Sequence, residues 1–451
     1  MTSAEQPQTV RNEQVLRRQL SSVQQTMMAL GGAIGTGLFL ASGLSVGVAG
    51  PAIVVSYVIV AAISLLLGRA LAEMAVAHPT AGAFGVHADL YVSPFAGYAV
   101  RVSYWLMEVI ATGGQLVAAA TYMRFWFPGV PGAAWVLGFG VALLYLNSRA
   151  VGRLGSIEYW LVMIKLAAVA LFVAIAILLV TGATGQPAIG VHNLTDGGFA
   201  PFGASGIWFG CCFVIYSFIG VEIVGVTSGE ASDPARSIPA AMRRLVLGLS
   251  ALYIVTITLL TALTPWRDLG VGESPFVRAL AGLGIPAAAG VMNFVVLSAA
   301  LSSANANLYL ISRTLFSLAR GGYVPGALGA VSDRGAPVNA LLVSGVGLGA
   351  TVVVQVLWSQ TAYQKLFGVA LFGALFVWLM IFVTHIAFRR RAVPIGSCLG
   401  AAAIAGILVS TRWVSGLETT LLSGGPWMAV LAAGYLAARR RMRSLSTTTP
   451  S

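Results

Sequence analysis

The stretch Gly31-Gly32-Ala33-Ile34-Gly35-Thr36-Gly37 places four glycines in seven positions of an otherwise apolar run over 23–47. Glycine costs roughly 1 kcal/mol per residue relative to alanine inside a helix, so a segment that only had to cross a bilayer would not gather four there. Unwound backbone in hydrocarbon is tolerated only where it is buried in protein or lines a cavity. The stretch therefore predicts a broken membrane helix beside a transport cavity. The alternative is close helix packing through Gly31 and Gly35.

The composition is that of a membrane protein throughout. Of 451 residues, 58% are hydrophobic and 9% are charged, and the mean hydropathy is +0.87. About twelve apolar runs are long enough to cross ~30 Å of hydrocarbon, which predicts an all-α integral membrane protein of about twelve transmembrane helices without a separate soluble domain. The predicted spans lie near residues 23–47, 51–77, 96–125, 132–150, 154–181, 205–229, 241–264, 283–318, 338–357, 361–387, 393–410 and 421–438.

The net charge of +12 follows the membrane topology rather than a nucleic-acid surface. Nineteen arginines fall on one set of alternate loops and tails, whereas the other set holds four arginines and Lys365. Because cytoplasmic loops carry the excess of basic residues, we expect both termini in the cytoplasm and a multi-pass protein of the bacterial inner membrane. Residues 1–22 then form a cytoplasmic tail, and residues 439–451 form a basic tail at the lipid surface.

A second interruption lies in the sixth span, where Tyr216-Ser217-Phe218-Ile219-Gly220-Val221-Glu222 brings a glycine and a carboxylate into an apolar run. Interrupted segments in corresponding positions of two halves indicate a transporter built from inverted repeats, with its substrate held between them. The two interrupted spans are five apart. This spacing predicts a first five-helix repeat over 23–181, an inverted second repeat over 205–387, and two added helices over 393–438.

Helix ends predict the chemistry of the site. The free N–H groups at the start of the second half-helix, near Thr36, suit a carboxylate, whereas freed carbonyls suit an ammonium group. A site with both poles fits a zwitterion, and glycine lets the ligand reach the main chain. The predicted substrate-binding residues of the two breaks are Ala33, Ile34, Gly35, Thr36 and Gly37, and Tyr216, Ser217, Phe218, Ile219 and Gly220.

Several motifs resemble those of the amino acid permeases of the amino acid, polyamine and organocation superfamily, and in particular the bacterial amino acid transporter family. They are the runs Gly31 to Phe39, Glu73 to Gly82, Gly220 to Glu222, Gly229 to Ala231, Pro234 to Pro239 and Ser302 to Asn305. The resemblance implies a five-helix inverted repeat with discontinuous helices 1 and 6 and proton-coupled uptake or exchange of amino acids.

The resemblance also implies roles for individual residues. Carboxylate contacts map to Thr36 and Gly37, and ammonium contacts map to Ala33 and to the carbonyls of Ser217 to Ile219. Tyr216 and Phe218 stand where similar transporters place pocket or gating aromatics. Gln115 departs from the pattern, because related permeases often carry glutamate there.

Lys165 is one of two lysines in the chain and lies about twelve residues into the fifth predicted span. Ionisable residues inside the membrane mark functional sites by default, and a buried lysine, unlike arginine, can release its proton. We therefore expect Lys165 to carry the coupling proton, with its ammonium in the place that sodium fills in sodium-driven relatives. The alternative is a structural ion pair.

Two glutamates are further candidates for proton coupling. Glu222 either relays protons or caps N–H groups freed at the start of a half-helix. Glu108 shares one face of the third span with Thr112 and Gln115. Because Glu108 lies at the same depth as Lys165, an ion pair between them is geometrically possible.

Polar residues outside the breaks predict the rest of the pocket. Gln115, and Asn307 in the eighth span, are expected to line the substrate's side chain, although interhelical hydrogen bonds are an equal alternative for the eighth-span residues. Together these groups suggest a neutral or small polar substrate.

Enzymatic chemistry is not predicted. The chain has no Gly-x-Ser-x-Gly, His-Glu-x-x-His or Walker motif, which argues against hydrolytic and ATP-driven chemistry, and no metal or cofactor is expected. The sequence favours a secondary active transporter of an amino acid with proton symport. Amino acid exchange is the first alternative, and a polyamine or organocation carrier is the second. The oligomeric state is not predicted.

Overall fold

The chain is described by a computed structural model that covers residues 22–80, 82–149, 151–183, 187–230, 233–270, 272–282, 286–332 and 337–447. Apart from Ser22, the predicted N-terminal tail lies outside these residues. The α-helices are α1 (Ser22–Ala33), α2 (Thr36–Phe39), α3 (Ala41–Ala49), α4 (Ile53–Ala77), α5 (Ala83–Tyr91), α6 (Pro94–Met123), α7 (Gly132–Arg149), α8 (Val151–Thr181), α9 (Gly203–Ser217), α10 (Ile223–Val226), α11 (Pro234–Leu263), α12 (Pro275–Ala281), α13 (Pro286–Arg320), α14 (Val338–Leu357), α15 (Ala362–Phe388), α16 (Ile395–Ser410), α17 (Glu418–Leu422) and α18 (Gly424–Thr447).

Helices account for every predicted span. Within the described residues, eight helical segments are long and apolar enough to cross a membrane, and three shorter apolar helices accompany them. The prediction of an all-α multi-span membrane protein is confirmed. The repeat relation between 23–181 and 205–387 stays a prediction.

The first helix break is narrower than the glycine run predicts. Helix α1 continues through Ala33 and α2 begins at Thr36, so that only Ile34 and Gly35 are unwound. The other glycines of the run remain helical, and Gly32 permits a close contact, because a Cβ atom there would lie 2.6 Å from Ile223 Cδ1. The run therefore holds a break at its centre and a close contact at Gly32, whereas helix packing through Gly31 and Gly35 stays an alternative.

The second break covers residues 218–222, between α9 and α10. Gly220 has φ +109°, a conformation that residues with a side chain rarely adopt. The glycine within this apolar run thus sits where the backbone requires it.

Helix α6 forms the centre of the bundle. It packs against α13 and α15, and most of its residues are buried, including the small-residue face from Ala111 to Ala120. Small residues let helices approach closely in a membrane: a Cβ atom on Gly113 would lie 2.2 Å from Thr351 Oγ1 on α14. Glu108 and Gln115 are thereby carried into the interior, beside the two breaks.

Two short helices lie outside the predicted spans. Helix α5 follows α4 and packs against α6 and α15, and α12 precedes α13. Helix α18 continues through the basic cluster over 439–443 to Thr447, so most of the predicted C-terminal tail is helical.

Candidate functional site

The two helix breaks contact each other through backbone. A Cβ atom on Gly37 would lie 2.9 Å from Ser217 Cα, and one on Gly220 would lie 3.0 Å from the Ala33 nitrogen. Contacts under 3.0 Å are essentially never tolerated between a Cβ atom and backbone, so glycine at position 37 is what brings the breaks together. The sequence predicted the pairing from spacing alone; these distances give its physical form.

Side chains from α6 and α13 bridge the first break. The Thr36 N–H donates to Gln115 Oε1 at 3.3 Å, and Gln115 Nε2 donates to Ser303 Oγ at 3.0 Å. Ser303 Oγ in turn donates to the Gly32 carbonyl at 2.9 Å. We call this chain of hydrogen bonds the Gln115 bridge. It satisfies one N–H and one carbonyl freed by unwinding, which a buried backbone requires.

The remaining carbonyls of the first break accept from three other helices. Lys165 Nζ donates to the Gly31 carbonyl at 2.9 Å, and the Tyr253 hydroxyl donates to the Ala33 carbonyl at 3.1 Å. Beyond the break, the Tyr363 hydroxyl donates to the Thr36 carbonyl at 3.3 Å. The Ala33 carbonyl, predicted to bind an ammonium group, also accepts from the Gly35 N–H at 3.1 Å, so both of its lone pairs already have a partner.

Glu222 is the hydrogen-bond acceptor of the second break. Both of its carboxylate oxygens accept from the Gly220 N–H, at 3.0 and 3.1 Å, and Oε2 also accepts from Trp378 Nε1 at 3.2 Å. The carboxylate therefore caps a freed N–H, as one of the two expectations required. The Gly220 N–H belongs to the unwound turn that precedes α10.

A small cavity lies between the breaks. It leaves about 20 Å³ for the centre of a water molecule, which is room for one or two waters and not for an amino acid. Substrate entry therefore requires the helices or side chains around it to move. The residues that line the cavity are Gly32, Ala33, Gly35, Gly37, Glu108, Ala111, Gln115, Tyr216, Ile219, Gly220, Ile223 and Asn307.

Nine of the predicted site residues are among these twelve, including Glu108, Gln115 and Asn307. Ile34, Thr36, Ser217 and Phe218 lie beside the cavity without lining it. The Phe218 ring packs against Tyr253, with ring centroids 5.3 Å apart, and is fully buried, so it does not face the cavity as a pocket aromatic would. Tyr216 does, and its ring lies 4.4 Å from that of Phe367.

The three predicted proton-coupling residues are buried, with Lys165 fully so. Glu108 lies on the cavity wall and interacts electrostatically with Glu222. The Lys165 ammonium lies at the Gly31 carbonyl, in the last turn of α1. A cation at the C-terminal end of a helix is favourable, because it meets the negative end of the helix dipole. The pair between Glu108 and Lys165 stays a prediction.

Sequence reasoning missed several residues of the site. Ser303 lies one turn before Asn307 on α13, so helical spacing could have found it. Asn305, also on α13, accepts a hydrogen bond from Asn147 Nδ2 at 2.8 Å. This bond joins two helices, which was the alternative expected for the polar residues of the eighth span. Tyr363, Phe367 and Trp378 come from α15, and no local pattern marks them.

Comparisons with known proteins agree with this architecture. The family model for amino acid permeases matches residues 24–444. The chain is 35% identical over 437 residues to the aromatic amino acid transport protein AroP of Escherichia coli K12, covering 93% of this chain and 95% of that protein. It is 34% identical to AroP of Salmonella typhimurium LT2 over 444 residues, with 95% and 97% covered. The uncharacterized amino acid permease YtnA of Bacillus subtilis is 32% identical over 442 residues, with 94% and 96% covered. A broken-helix membrane protein that matches this family over nearly its whole length belongs to the amino acid permease family.

Proposed function

We propose that the chain is a secondary active transporter that carries a neutral amino acid across the bacterial inner membrane together with a proton. The observation that carries the proposal is the contact between the two helix breaks beside a small cavity, at Gly37 with Ser217 and Ala33 with Gly220. Broken helices that meet in this way expose backbone donors and acceptors to one ligand. Membership of the amino acid permease family supports the substrate class.

The substrate carboxylate is proposed to bind the N–H groups of Thr36 and Gly37. Two observations support this role. Gln115 presents an amide oxygen to the Thr36 N–H, so an acceptor fits at that position, and the buried Thr36 hydroxyl has no hydrogen-bond partner among the described residues. The bound carboxylate would displace the Gln115 amide oxygen from the Thr36 N–H. In the absence of substrate, Gln115 occupies the acceptor position at this N–H.

The substrate ammonium is proposed to bind carbonyls of Ala33 and of the turn that follows Tyr216. Ala33, Ile219 and Gly220 line the cavity, and an ammonium group at the Ala33 carbonyl would displace the Tyr253 hydroxyl that donates to it. A zwitterion meets both poles at once, whereas a polyamine would need several carboxylates. Glu108 is the one carboxylate among the cavity-lining residues, which argues against a polyamine carrier.

The side chain of the substrate is proposed to be neutral, with aromatic amino acids as the first class to test. Ala111, Ile219, Ile223 and Tyr216 give the cavity an apolar wall, and two similar relatives are named as aromatic amino acid transport proteins. Tyr216 and the Phe367 ring that it contacts would rearrange when a larger side chain enters.

Proton coupling is proposed to act through Lys165. Its ammonium links α8 to the Gly31 carbonyl in the last turn of α1. Loss of the proton would remove the cation that meets the helix dipole there and weaken the link between α8 and the first half-helix. The proton would thus be coupled to the position of the half-helix that holds the substrate.

The test is uptake into proteoliposomes under an imposed proton gradient, with the twenty amino acids as competitors. We expect gradient-driven accumulation of a neutral, aromatic substrate, loss of that accumulation in Lys165→Ala, and retention of substrate counterflow in the same variant. Lys365→Ala, at the only other lysine, is the matched control and should accumulate substrate normally. Accumulation by Lys165→Ala at the wild-type level would refute the role of Lys165. Transport that needs internal substrate and ignores the gradient would replace symport by exchange.

Glu222 is proposed to serve the break mainly as a cap, since its carboxylate accepts twice from Gly220 and once from Trp378. Glu222→Gln should therefore transport with an unchanged pH profile in the same assay. A shifted pH profile would assign Glu222 to the proton path instead.

A further inference from the structure

A second and larger cavity opens between α4 and α11. It has a volume of about 750 Å³ and shares no lining residue with the cavity at the helix breaks. One face of each helix forms its walls, and these walls are apolar at residues such as Leu65, Leu66 and Val246. Leu65 is exposed, at 39%, so the wall faces outward. We call this cavity the α4–α11 groove.

Two arginines, one on each helix, project from the groove walls. Arg69 and Arg243 are both exposed, and neither makes an ion pair or hydrogen bond with another described residue. Arg69 lies about 12 Å along α4 from its end at Ala77, and Arg243 about 13 Å along α11 from its start at Pro234, at 1.5 Å per residue. Both therefore lie about two to three turns from helix ends that are expected to be cytoplasmic, at the leaflet that carries anionic lipid.

The acidic residue of the groove does not supply that partner. The Glu73 carboxylate accepts from His385 Nε2 at 3.0 Å and forms a salt bridge with Arg389. The charge of Glu73 is thus compensated by His385 on α15 and by Arg389, the residue after α15. Among the described residues, the groove is left with two uncompensated positive charges above an apolar wall.

We propose that the α4–α11 groove binds an anionic phospholipid, with the phosphate between Arg69 and Arg243 and an acyl chain along Leu65, Leu66 and Val246. Basic pockets between transmembrane helices are sites for anionic headgroups, and guanidinium groups match phosphate oxygens with paired hydrogen bonds. The volume of the groove lies in the range that is typical of ligand-binding pockets. The charge selects an anionic headgroup, and the apolar wall requires that the anion carry a lipid tail.

The test is native mass spectrometry of the purified full chain titrated with phosphatidylglycerol or phosphatidylcholine in mixed micelles. Each basic residue near an anionic lipid headgroup contributes about a fivefold factor in binding, so the Arg69→Gln/Arg243→Gln variant should bind the first phosphatidylglycerol roughly thirtyfold more weakly than wild type. The Arg390→Gln/Arg391→Gln variant makes the same change of charge at exposed arginines outside the groove and should bind like wild type. Phosphatidylcholine should bind wild type and the groove variant equally weakly.

Two further arms separate a lipid from other occupants. Leu65→Trp, which fills the apolar wall and keeps both arginines, should also weaken phosphatidylglycerol binding, and glycerol phosphate without acyl chains should not compete with the lipid. Equal phosphatidylglycerol binding by the groove variant and wild type would overturn the proposal. So would full competition by glycerol phosphate, which would indicate a free-anion site, or a dimer that dissociates only in the groove variant, which would indicate a second copy of the chain.

Discussion

At the scale of single residues, the Gln115 bridge shows how one side chain can serve an unwound backbone. Gln115 spans from the Thr36 N–H to Ser303, and Ser303 reaches the Gly32 carbonyl. A buried donor left without a partner costs about 1–3 kcal/mol. Both side chains are therefore part of what makes the break stable, beyond any contact with substrate.

The bridge predicts that Gln115 and Ser303 are energetically coupled. In a double-mutant cycle of Gln115→Leu and Ser303→Ala, measured by thermal unfolding in detergent, each single variant should lose stability. Because both changes break the same chain of hydrogen bonds, the double variant should lose about 0.5–3 kcal/mol less than the sum. Additive losses within about 0.5 kcal/mol would show that the two residues act separately.

At the scale of elements, the half-helices of the two breaks are held by a contact that only glycine permits. Gly37 lies against Ser217, whereas Gly47, ten residues further along the same interrupted span, has open space where a Cβ atom would be. Alanine at position 37 therefore tests the effect of a methyl group at the contact between the breaks. Alanine at position 47 tests its effect on helix propensity alone.

Gly37→Ala should reduce the initial rate of amino acid uptake by about tenfold or more, because overpacking at a backbone contact costs roughly 1–3 kcal/mol. Gly47→Ala should transport at the wild-type rate and fold at least as well, since alanine favours the helix. The measurement is uptake per inserted protein in proteoliposomes. A Gly37→Ala variant with a normal rate would mean that the breaks need not touch.

Helix α5 carries a pH sensitivity of its own. Burial lowers the pKa of His87 to about 4 from its usual 6.5, despite a hydrogen bond to the His78 carbonyl at 3.0 Å, and burial lowers the pKa of His78 as well. A folded-state pKa below the unfolded value means that the neutral form stabilises the fold. This stability is complete above about pH 6.5 and is lost as the pH falls towards 4.

Hydrogen exchange of residues 83–91 should therefore be faster at pH 5 than at pH 7.5, after correction for the intrinsic rate. The reason is that the free energy of unfolding falls by about 2 kcal/mol between these pH values. His87→Gln, which cannot take up a proton, should show little acid dependence in this segment. His192→Gln, at an exposed histidine, should behave like wild type. Equal acid sensitivity of His87→Gln and wild type would assign the effect to other groups.

At the scale of the whole molecule, the distribution of arginines sets the orientation that the proposals assume. The loops that carry most of them, such as the one after α13, are expected in the cytoplasm. The loop after α8 is expected outside, because it lies on the opposite side in the order of spans.

Labelling with a membrane-impermeant maleimide tests this orientation. In a background with Ser at Cys211, Cys212 and Cys398, Ala200→Cys should react in intact cells, because its exposed position lies in the loop after α8. Ala330→Cys, exposed in the loop after α13, should react only after permeabilisation. The reverse pattern would place the termini outside.

The sequence by itself determined the helical membrane fold and the two breaks. Each is a local property: apolar length sets a span, and glycine with a carboxylate inside a span marks unwinding. Tertiary structure alone decided which glycines unwind and which pack, and that Phe218 turns towards Tyr253. It also decided that Ser303, Tyr363 and Trp378 join the hydrogen bonds at the two breaks. Hydrogen bonds between groups a hundred or more residues apart depend on how helices pack, and no spacing along one helix encodes them.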